Sequence, residues 1–175
     1  DFFTTYKRRN PGPLKLVVMG DPVRPLPPHQ DVITTGFVDE DTKHDAFSGA
    51  TVFVHPSYFE SFSIVLAEAW AHGLPALVQG HSAVLAGQCR RSGGGLPYVG
   101  YAEFEAALDL LLSERETRDE LGRAGRNYVE LRYEWNSVLD RYERFLGSMI
   151  DRRTLRTRRA HARDDALQVN QRSFP

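Results

Sequence analysis

The fold is decided by residues 51–75, which read TVFVHPSYFESFSIVLAEAWAHGLP. Residues 51–54 form a short apolar run rich in β-branched side chains, which predicts a buried strand. Residues 55–61 predict a turn, and residues 63–73 predict a helix that stops at its final glycine. Residues 75–78 begin another strand. A strand, a helix and a strand in this order predict a parallel sheet with a right-handed crossover.

Two acidic residues of this stretch, Glu60 and Glu68, stand eight positions apart. The predicted helix is apolar on nearly every side, so we expect it to be buried and the carboxylate of Glu68 to need a partner there. Glu60 precedes the helix, where backbone N–H groups lack intrahelical acceptors. Eight helical residues rise roughly 12 Å, which predicts one carboxylate at the mouth of the sheet and one about two turns deeper. This spacing suits an elongated ligand with hydroxyls at both ends and an anion near the helix N-terminus.

The pair Glu60-x7-Glu68, within ESFSIVLAEAWAHGLP, resembles the E-x7-E signature of retaining GT-B glycosyltransferases of the group 1 family. The spacing alone fits a structural glutamate on a half-exposed helix about equally well, because glutamate is a common helix former. The surrounding order favours the family: a strand, His-Pro-Ser, an aromatic residue, an apolar helix, and Gly-Leu-Pro leading into a strand. The resemblance implies the C-terminal, donor-binding half of an enzyme that transfers a sugar from a nucleotide diphosphate sugar to an acceptor hydroxyl with retention.

The resemblance also implies roles for the two carboxylates. Glu60 is the catalytic candidate and orients hydroxyls of the donor sugar, while Glu68 accepts hydrogen bonds from both ribose hydroxyls. No general base is expected on this half, because the retaining enzymes rely on the donor's own phosphate oxygen. Backbone N–H dipoles at a helix start can stabilise the leaving diphosphate without a metal. The histidines show no metal-binding spacing either, so we expect no cofactor and no metal.

Further donor contacts are carried over from the family position by position. At the loop-to-helix junction they are Ser61, Phe62, Ser63 and Ile64. The family often has glycine at two of these places, and the serines here add hydroxyl donors but leave less room for the sugar. At the ends of two earlier strands the contacts are Gly20, Gly36, Phe37 and Val38. Ordinary strand packing is the alternative for the last three. His55, at the end of a strand, is expected at the same crevice, where ligand contact and loop packing both remain open.

The rest of the chain alternates between strands and helices. The other predicted strands are residues 14–19, 32–38 and 96–99. The predicted helices are residues 1–10, 39–48, 83–89, 101–112, 114–133 and one from Trp135 onward. Residues 92–95, SGGG, predict a turn, and four prolines exclude a helix from residues 21–31, which leaves the order of the first strands open. The fold class predicted for residues 1–150 is α/β, a doubly wound, mostly parallel Rossmann-like sheet with helices on both faces.

Apolar stripes on the last two predicted helices are expected to face the core. In residues 114–133 the stripe includes Leu121, Ala124, Tyr128, Val129 and Leu131. In the final helix it includes Trp135, Val138, Leu139, Tyr142, Leu146 and Met149. Their spacing of three and four residues is typical of a helix face that packs against other elements.

Composition narrows the function classes. The 175 residues carry a formal net charge of -1, which does not indicate a nucleic-acid partner. A single cysteine, Cys89, fits a reducing compartment, and the sequence shows neither a signal peptide nor a membrane span, so a cytoplasmic location is expected. Residues 151–175 contain seven Arg and three Asp, a charge of 7 − 3 = +4. They predict a basic helix extension or tail that makes at most weak peripheral contact with a membrane.

Two other function classes are weighed against the transferase. A non-catalytic nucleotide-binding module, or a degenerate partner of an active enzyme, would use the same donor pocket without performing transfer. The hypothesis of a nicotinamide-dependent oxidoreductase is weak, because no G-x-G-x-x-G fingerprint follows the first strand. In the favoured interpretation, an acceptor-binding N-terminal domain lies outside this chain. The nucleotide base, the sugar and the acceptor are left open.

Overall fold

A computed structural model describes residues 1–22 and 25–150, in which helices alternate with strands. The strands are β1 (Leu16–Met19), β2 (Val32–Gly36), β3 (Phe53–His55), β4 (Ala76–Gln79) and β5 (Gly95–Tyr98). The helices are α1 (Phe2–Arg9), α2 (Glu40–Gly49), α3 (Ile64–Ala71), α4 (Ala83–Ser92), α5 (Tyr101–Ser113) and α6 (Arg115–Tyr133). Residues 135–150 form a further helix. The predicted basic segment, residues 151–175, lies outside the described residues.

Strands pair in parallel throughout the two sheets of the described chain. β1 pairs with β2, with Leu16 opposite Val32, and β4 lies between β3 and β5 in a three-stranded sheet. The predicted single sheet is therefore divided into two hydrogen-bonded sheets. A lone antiparallel bridge, in which the N–H of Gly20 donates to the carbonyl of Gly36 at 2.7 Å, closes the ends of β1 and β2.

Side chains of β4 point alternately into two apolar layers. Leu77 belongs to the layer formed with α1 and α5, whose buried members are Tyr6, Tyr98, Phe104, Leu108 and Leu111. Ala76 and Val78 belong to the opposite layer, with Leu66, Trp70, Leu85 and Cys89. Every residue of β4 is buried, as expected for a parallel strand covered on both faces. The predicted fold class, parallel sheets with helices on both faces, is confirmed.

α6 packs against the core through glycines that the apolar pattern does not identify. Gly122 and Gly125 are its buried residues, and a β-carbon on either would overlap the backbone of Gly73 or the ring of Trp70. The expected apolar stripe is only partly buried, and Leu131 at its end is 75% exposed, so its assignment to the core is wrong. Close approach of two backbones requires the smallest residue, and hydrophobic periodicity does not register it.

Local signals account for most of the element boundaries. Asp39 caps α2 by accepting from the N–H of Thr42 at 2.8 Å, which confirms one of the two predicted caps. The described part of residues 21–31 contains no helix, in agreement with its prolines. The predicted SGGG turn is shorter than expected, because α4 extends to Ser92 and β5 already begins at Gly95. None of the described helices is long and apolar enough to cross a membrane.

The chain divides into two compact units, residues 1–130 and residues 131–175. The described part of the second unit is almost entirely helical, which confirms the helix predicted from Trp135. Its predicted core residues are nevertheless exposed, except for the half-buried Val138. The exposed ones are Trp135, Leu139, Tyr142, Leu146 and Met149. A helical period shows which residues share a face, but it does not show that anything covers that face.

Candidate functional site

The candidate site is a cleft of about 540 Å³ at the carboxyl edge of the strands. Parallel strands bring their carboxyl ends to one edge of a sheet, which is where α/β folds bind ligands. The end of β1 contributes Gly20 and the end of β3 contributes His55, so both sheets line the cleft. Glu60 lies on the loop that follows β3. The remaining lining residues are Val18, Met19, Asp21, Pro22, Pro56 and Ser57.

The carboxylate of Glu60 is held in this cleft by His55. The side chain of Glu60 is 22% exposed, and its Oε1 lies 3.3 Å from His55 Nε2. Burial lowers the pKa of His55 from its ordinary value, and the negative charge of Glu60 offsets this only in part, so the ring is neutral at pH 7. A proton on Nε2 satisfies the contact, because a lone pair there would face the carboxylate. The neutral ring of His55 thus lies against the carboxylate of Glu60.

Ser63 joins the same cluster and has a strained backbone. Its Oγ lies 2.9 Å from His55 Nε2, and the residue is 6% exposed. With a φ of 66°, Ser63 is the one non-glycine residue of the described chain in the left-handed region, which costs about 1–2 kcal/mol for an L-residue. Gln88, itself 1% exposed, donates a hydrogen bond to the carbonyl of the preceding Phe62. The junction between loop and helix is therefore held from two sides.

The environment of Glu68 differs from the prediction in two respects. Because α3 begins at Ile64, only four of the seven residues between the two glutamates are helical, and the helical rise to Glu68 is about 6 Å. The helix is not buried on every side, since Ile64 is 68% exposed and the side chain of Glu68 is 33% exposed. Glu68 lies beside the core rather than two turns inside it. The helix starts one residue after its predicted start, directly after the left-handed capping residue Ser63, so the difference arises from loop residues that the predicted rise counted as helical.

Glu68 is paired with Lys43, a residue that the sequence analysis did not identify. Lys43 Nζ lies 3.0 Å from Glu68 Oε1 and 2.8 Å from Glu40 Oε2. The hydrogen bond to Glu40 first, and then that to Glu68, raises the pKa of Lys43 above its ordinary value. The spacing of Glu40 and Lys43 on the predicted helix indicates an ordinary surface pair. Contact with α3 depends on how the two helices pack, for which the sequence carries no local signal.

The structure groups the predicted site residues unequally. Gly20 and Glu60 line the cleft, and Gly36 reaches it through its backbone bridge to Gly20. At the end of β2, Phe37 is 84% exposed and Val38 is half-buried. The junction residues Ser61, Phe62 and Ile64 are exposed, whereas Ser63 is buried. Glu68 and the four junction residues adjoin the cleft along the chain without lining it.

A second cleft, of about 230 Å³, lies where β3 and β4 begin, and no predicted site residue lines it. Here His72 Nε2 is 2.8 Å from His44 Nδ1, and His72 Nδ1 is 3.1 Å from Ser48 Oγ. Burial lowers the pKa of His72, and the nearby charges of His44 and Arg126 lower it further. Within residues 1–22 and 25–150, no group of three acidic, histidine or cysteine side chains is arranged to hold a metal ion.

Comparison with known families decides how this fold is classified. The model of the family described as "Glycosyl transferases group 1" matches residues 7–128, which include both sheets and both glutamates. The chain belongs to this family. This chain is 31% identical over 110 residues to the sulfoquinovosyl transferase SQD2 of Arabidopsis thaliana, and the match covers 61% of this chain.

Solved structures show the same fold. A sucrose-phosphate synthase from Thermosynechococcus elongatus superimposes on 86% of this chain with a TM-score of 0.66, at 24% sequence identity. The C-terminal domain of a glycosyl transferase group 1 family protein from Francisella tularensis superimposes with a TM-score of 0.53 over 61% of it, at 18% identity. These matches show that the chain shares its fold with parts of these two proteins. The matched part of this chain spans 21% of the length of the Arabidopsis protein and 42% of the length of the synthase.

Proposed function

We propose that this chain is the donor-binding part of a retaining glycosyltransferase, which moves a sugar from a nucleotide diphosphate sugar to an acceptor hydroxyl. The observation that carries the proposal is the position of Glu60. Its half-buried carboxylate lines the cleft at the carboxyl edge of the strands, three residues before the cap of α3. A carboxylate here faces sugar hydroxyls, and the helix start beside it attracts an anion. The acceptor-binding half lies outside this chain in this proposal.

The sugar and the diphosphate occupy the Glu60 end of the site. Since His55 holds Oε1 of Glu60, the second carboxylate oxygen is directed to the donor hydroxyls. The leaving diphosphate gains negative charge as the glycosyl bond breaks, and the first N–H groups of α3 are fixed dipoles that stabilise it. The hydroxyl of Ser63 is already bonded to His55, so Ser61 is the serine whose hydroxyl can reach the phosphates.

The nucleoside occupies the other end of the site. Phe37, 84% exposed after β2, offers an apolar ring face to the base. The bridge between Gly20 and Gly36 brings the end of β2 to the cleft, which fits the contacts assigned to Gly36 and Val38. Glu68 accepts from ribose hydroxyls, because an ionised carboxylate offers acceptors only. Binding requires no metal, so a chelator leaves the affinity for the nucleotide unchanged.

Nucleotide binding is the first test of this function. We expect at least one of UDP, GDP and ADP to raise the melting temperature of the 175-residue chain, measured by thermal shift without metal and with a chelator present. Glu68→Gln should reduce the shift, because the amide keeps one acceptor oxygen but loses the negative charge that strengthens hydrogen bonds from the ribose hydroxyls. Glu116→Gln, on an exposed part of α6, is the matched control and should leave the shift unchanged.

The outcomes separate the candidate functions. If none of the three nucleotides shifts the melting temperature or gives heat in calorimetry, the donor-binding proposal is wrong. If a nucleotide binds, sugar transfer is then measured with the acceptor half joined to this chain. Transfer that depends on Glu60 supports the enzyme, whereas binding without transfer supports a non-catalytic nucleotide module.

A further inference from the structure

Lys43 connects α2 to one of the two carboxylates assigned to the donor. Its ammonium contacts Glu68 on α3 at 3.0 Å and Glu40 on its own helix at 2.8 Å. The side chain of Glu40 is 77% exposed, whereas that of Glu68 is 33% exposed. The bond to Glu40 is shorter and has the larger effect on the pKa of Lys43, whereas the pair with Glu68 is better shielded from water and is the one that joins two helices.

The two helices that carry this ion pair are already fixed by apolar packing. Phe47, one turn after Lys43 on α2, is 3% exposed and shares a buried cluster with Ala69, the neighbour of Glu68 on α3. The cap at Asp39 fixes the start of α2. Because the backbones are positioned without the ion pair, its consequence is the orientation of the Glu68 carboxylate rather than the docking of the helices.

We propose that Lys43 is a positioning residue for Glu68, which holds Oε1 and thereby aims Oε2 at a ribose hydroxyl of the donor. Lys43 contacts Oε1, and no hydrogen bond to Oε2 is present within residues 1–22 and 25–150. That oxygen therefore keeps its lone pairs for a ligand. The inference rests on the proposed function, which gives Glu68 its ligand, and it adds the residue that sets the geometry of ribose recognition.

The test compares ribonucleotides with their deoxy forms. Dissociation constants of UDP, GDP and ADP, and of their 2′-deoxy and 3′-deoxy forms, are measured by calorimetry on the 175-residue chain. For the best base, the wild-type chain should lose about tenfold in affinity when the bonded hydroxyl is absent, as expected for a hydrogen bond to a charged group. In Lys43→Met this preference should fall below about threefold, because the carboxylate is no longer held in one orientation.

Two further variants control for charge and folding. Lys43→Arg should restore most of the preference, because a guanidinium also donates to a carboxylate oxygen. Glu40→Gln removes the exposed partner of Lys43 and should leave the preference unchanged. Circular dichroism confirms that each variant is folded, and Lys43→Gln replaces Lys43→Met if the apolar side chain destabilises the chain.

Each result supports or overturns the inference. A wild-type chain that binds no ribonucleotide overturns the proposed function and this inference together. One that binds ribo and deoxy forms equally overturns the ribose contact of Glu68, and with it this inference, but leaves nucleotide binding intact. A wild-type preference that persists unchanged in Lys43→Met overturns the inference alone. An equal loss for ribo and deoxy forms in Lys43→Met also overturns it, because Lys43 would then act on the phosphates.

Discussion

Glu60 and Glu68, the two carboxylates of the candidate site, are anchored in different ways. Glu60 lies on a loop, where the neutral ring of His55 contacts it at 3.3 Å and also bonds Ser63 at 2.9 Å. Glu68 lies on a helix, where the ammonium of Lys43 contacts it at 3.0 Å. One anchor is a neutral histidine ring that contacts the carboxylate and is hydrogen-bonded to a residue with a strained backbone, and the other is a partly exposed ion pair.

This difference matches the proposed division of labour. In the proposed function, Glu60 contacts the donor sugar. Because the reacting centre tolerates little displacement, Glu60 needs a rigid anchor, and the neutral ring of His55 provides one. The Glu68 end meets the ribose, where binding tolerates small adjustments. An ion pair with exposed fractions of 20% and 33% is screened by water and salt and holds its partner less firmly. The three predictions that follow test whether the two ends are separable in this way.

The largest expected effect comes from Glu60→Ala in the transferase that contains this chain. Turnover should fall about 100-fold, because the sugar loses the group that positions it. The affinity for the nucleoside diphosphate should change by less than about threefold, whereas Glu68→Ala should weaken it about tenfold. Steady-state kinetics and calorimetry measure the two quantities. A Glu60→Ala variant that loses nucleotide affinity as strongly as Glu68→Ala would show that the ends are not separable.

A moderate effect is expected on stability at Ser63. Ser63→Ala keeps the left-handed backbone and loses the bond to His55, so the free energy of unfolding should fall by about 1–2 kcal/mol. Ser63→Gly loses the same bond but relieves the strain at a φ of 66°, so it should be more stable than Ser63→Ala by about 1 kcal/mol. Urea unfolding measures both. Equal stabilities for the two variants would mean that the left-handed conformation at residue 63 costs no free energy.

The sequence predicts the fold well because its signals are local. The cap at Asp39, the prolines before β2 and the glycine after α3 each mark a boundary within a few residues. Glu60 could be placed beside a helix start for the same reason. The predicted depth of Glu68 was wrong because it counted all eight steps from Glu60 as helical, although the predicted helix itself began at residue 63 and the observed one begins at Ile64.

Contacts between distant elements have no such local signal. Lys43 and Glu68 are 25 residues apart and meet only because two helices dock. The packing of Gly125 on Trp70 depends on the absence of a side chain, so no apolar pattern reveals it. The apolar stripe of the last helix gives the opposite error. Its helical period was predicted correctly, but the side chains predicted to be buried are exposed.

The smallest expected effect is a difference in how the two anchors respond to pH. Burial lowers the pKa of His55 from its ordinary 6.5. Between pH 6.5 and the lower folded value, His55 therefore binds a proton in the unfolded chain but not in the folded chain. Stability contributed by His55 is therefore present above pH 6.5 and is lost as the pH falls towards the lower folded value. The pKa of Lys43 is raised from 10.5, so its contribution is present below that pH and is lost as the pH rises through the raised value.

Urea midpoints measured across pH separate the two anchors if the second histidine cluster is removed. The pKa of His72 is lowered as well, which gives it the same sign as His55. In a His72→Gln background, adding His55→Gln should flatten the acid limb of the stability curve and leave the alkaline limb unchanged. Lys43→Met should flatten the alkaline limb and leave the region near pH 6.5 unchanged, while below pH 4.5 it also removes the contribution of Glu40, whose pKa Lys43 lowers. If His55→Gln leaves the acid limb as steep as before, the pKa of His55 does not change on folding, and if the limb becomes steeper, the ring is charged against Glu60; either result removes the buried, neutral anchor on which the comparison depends.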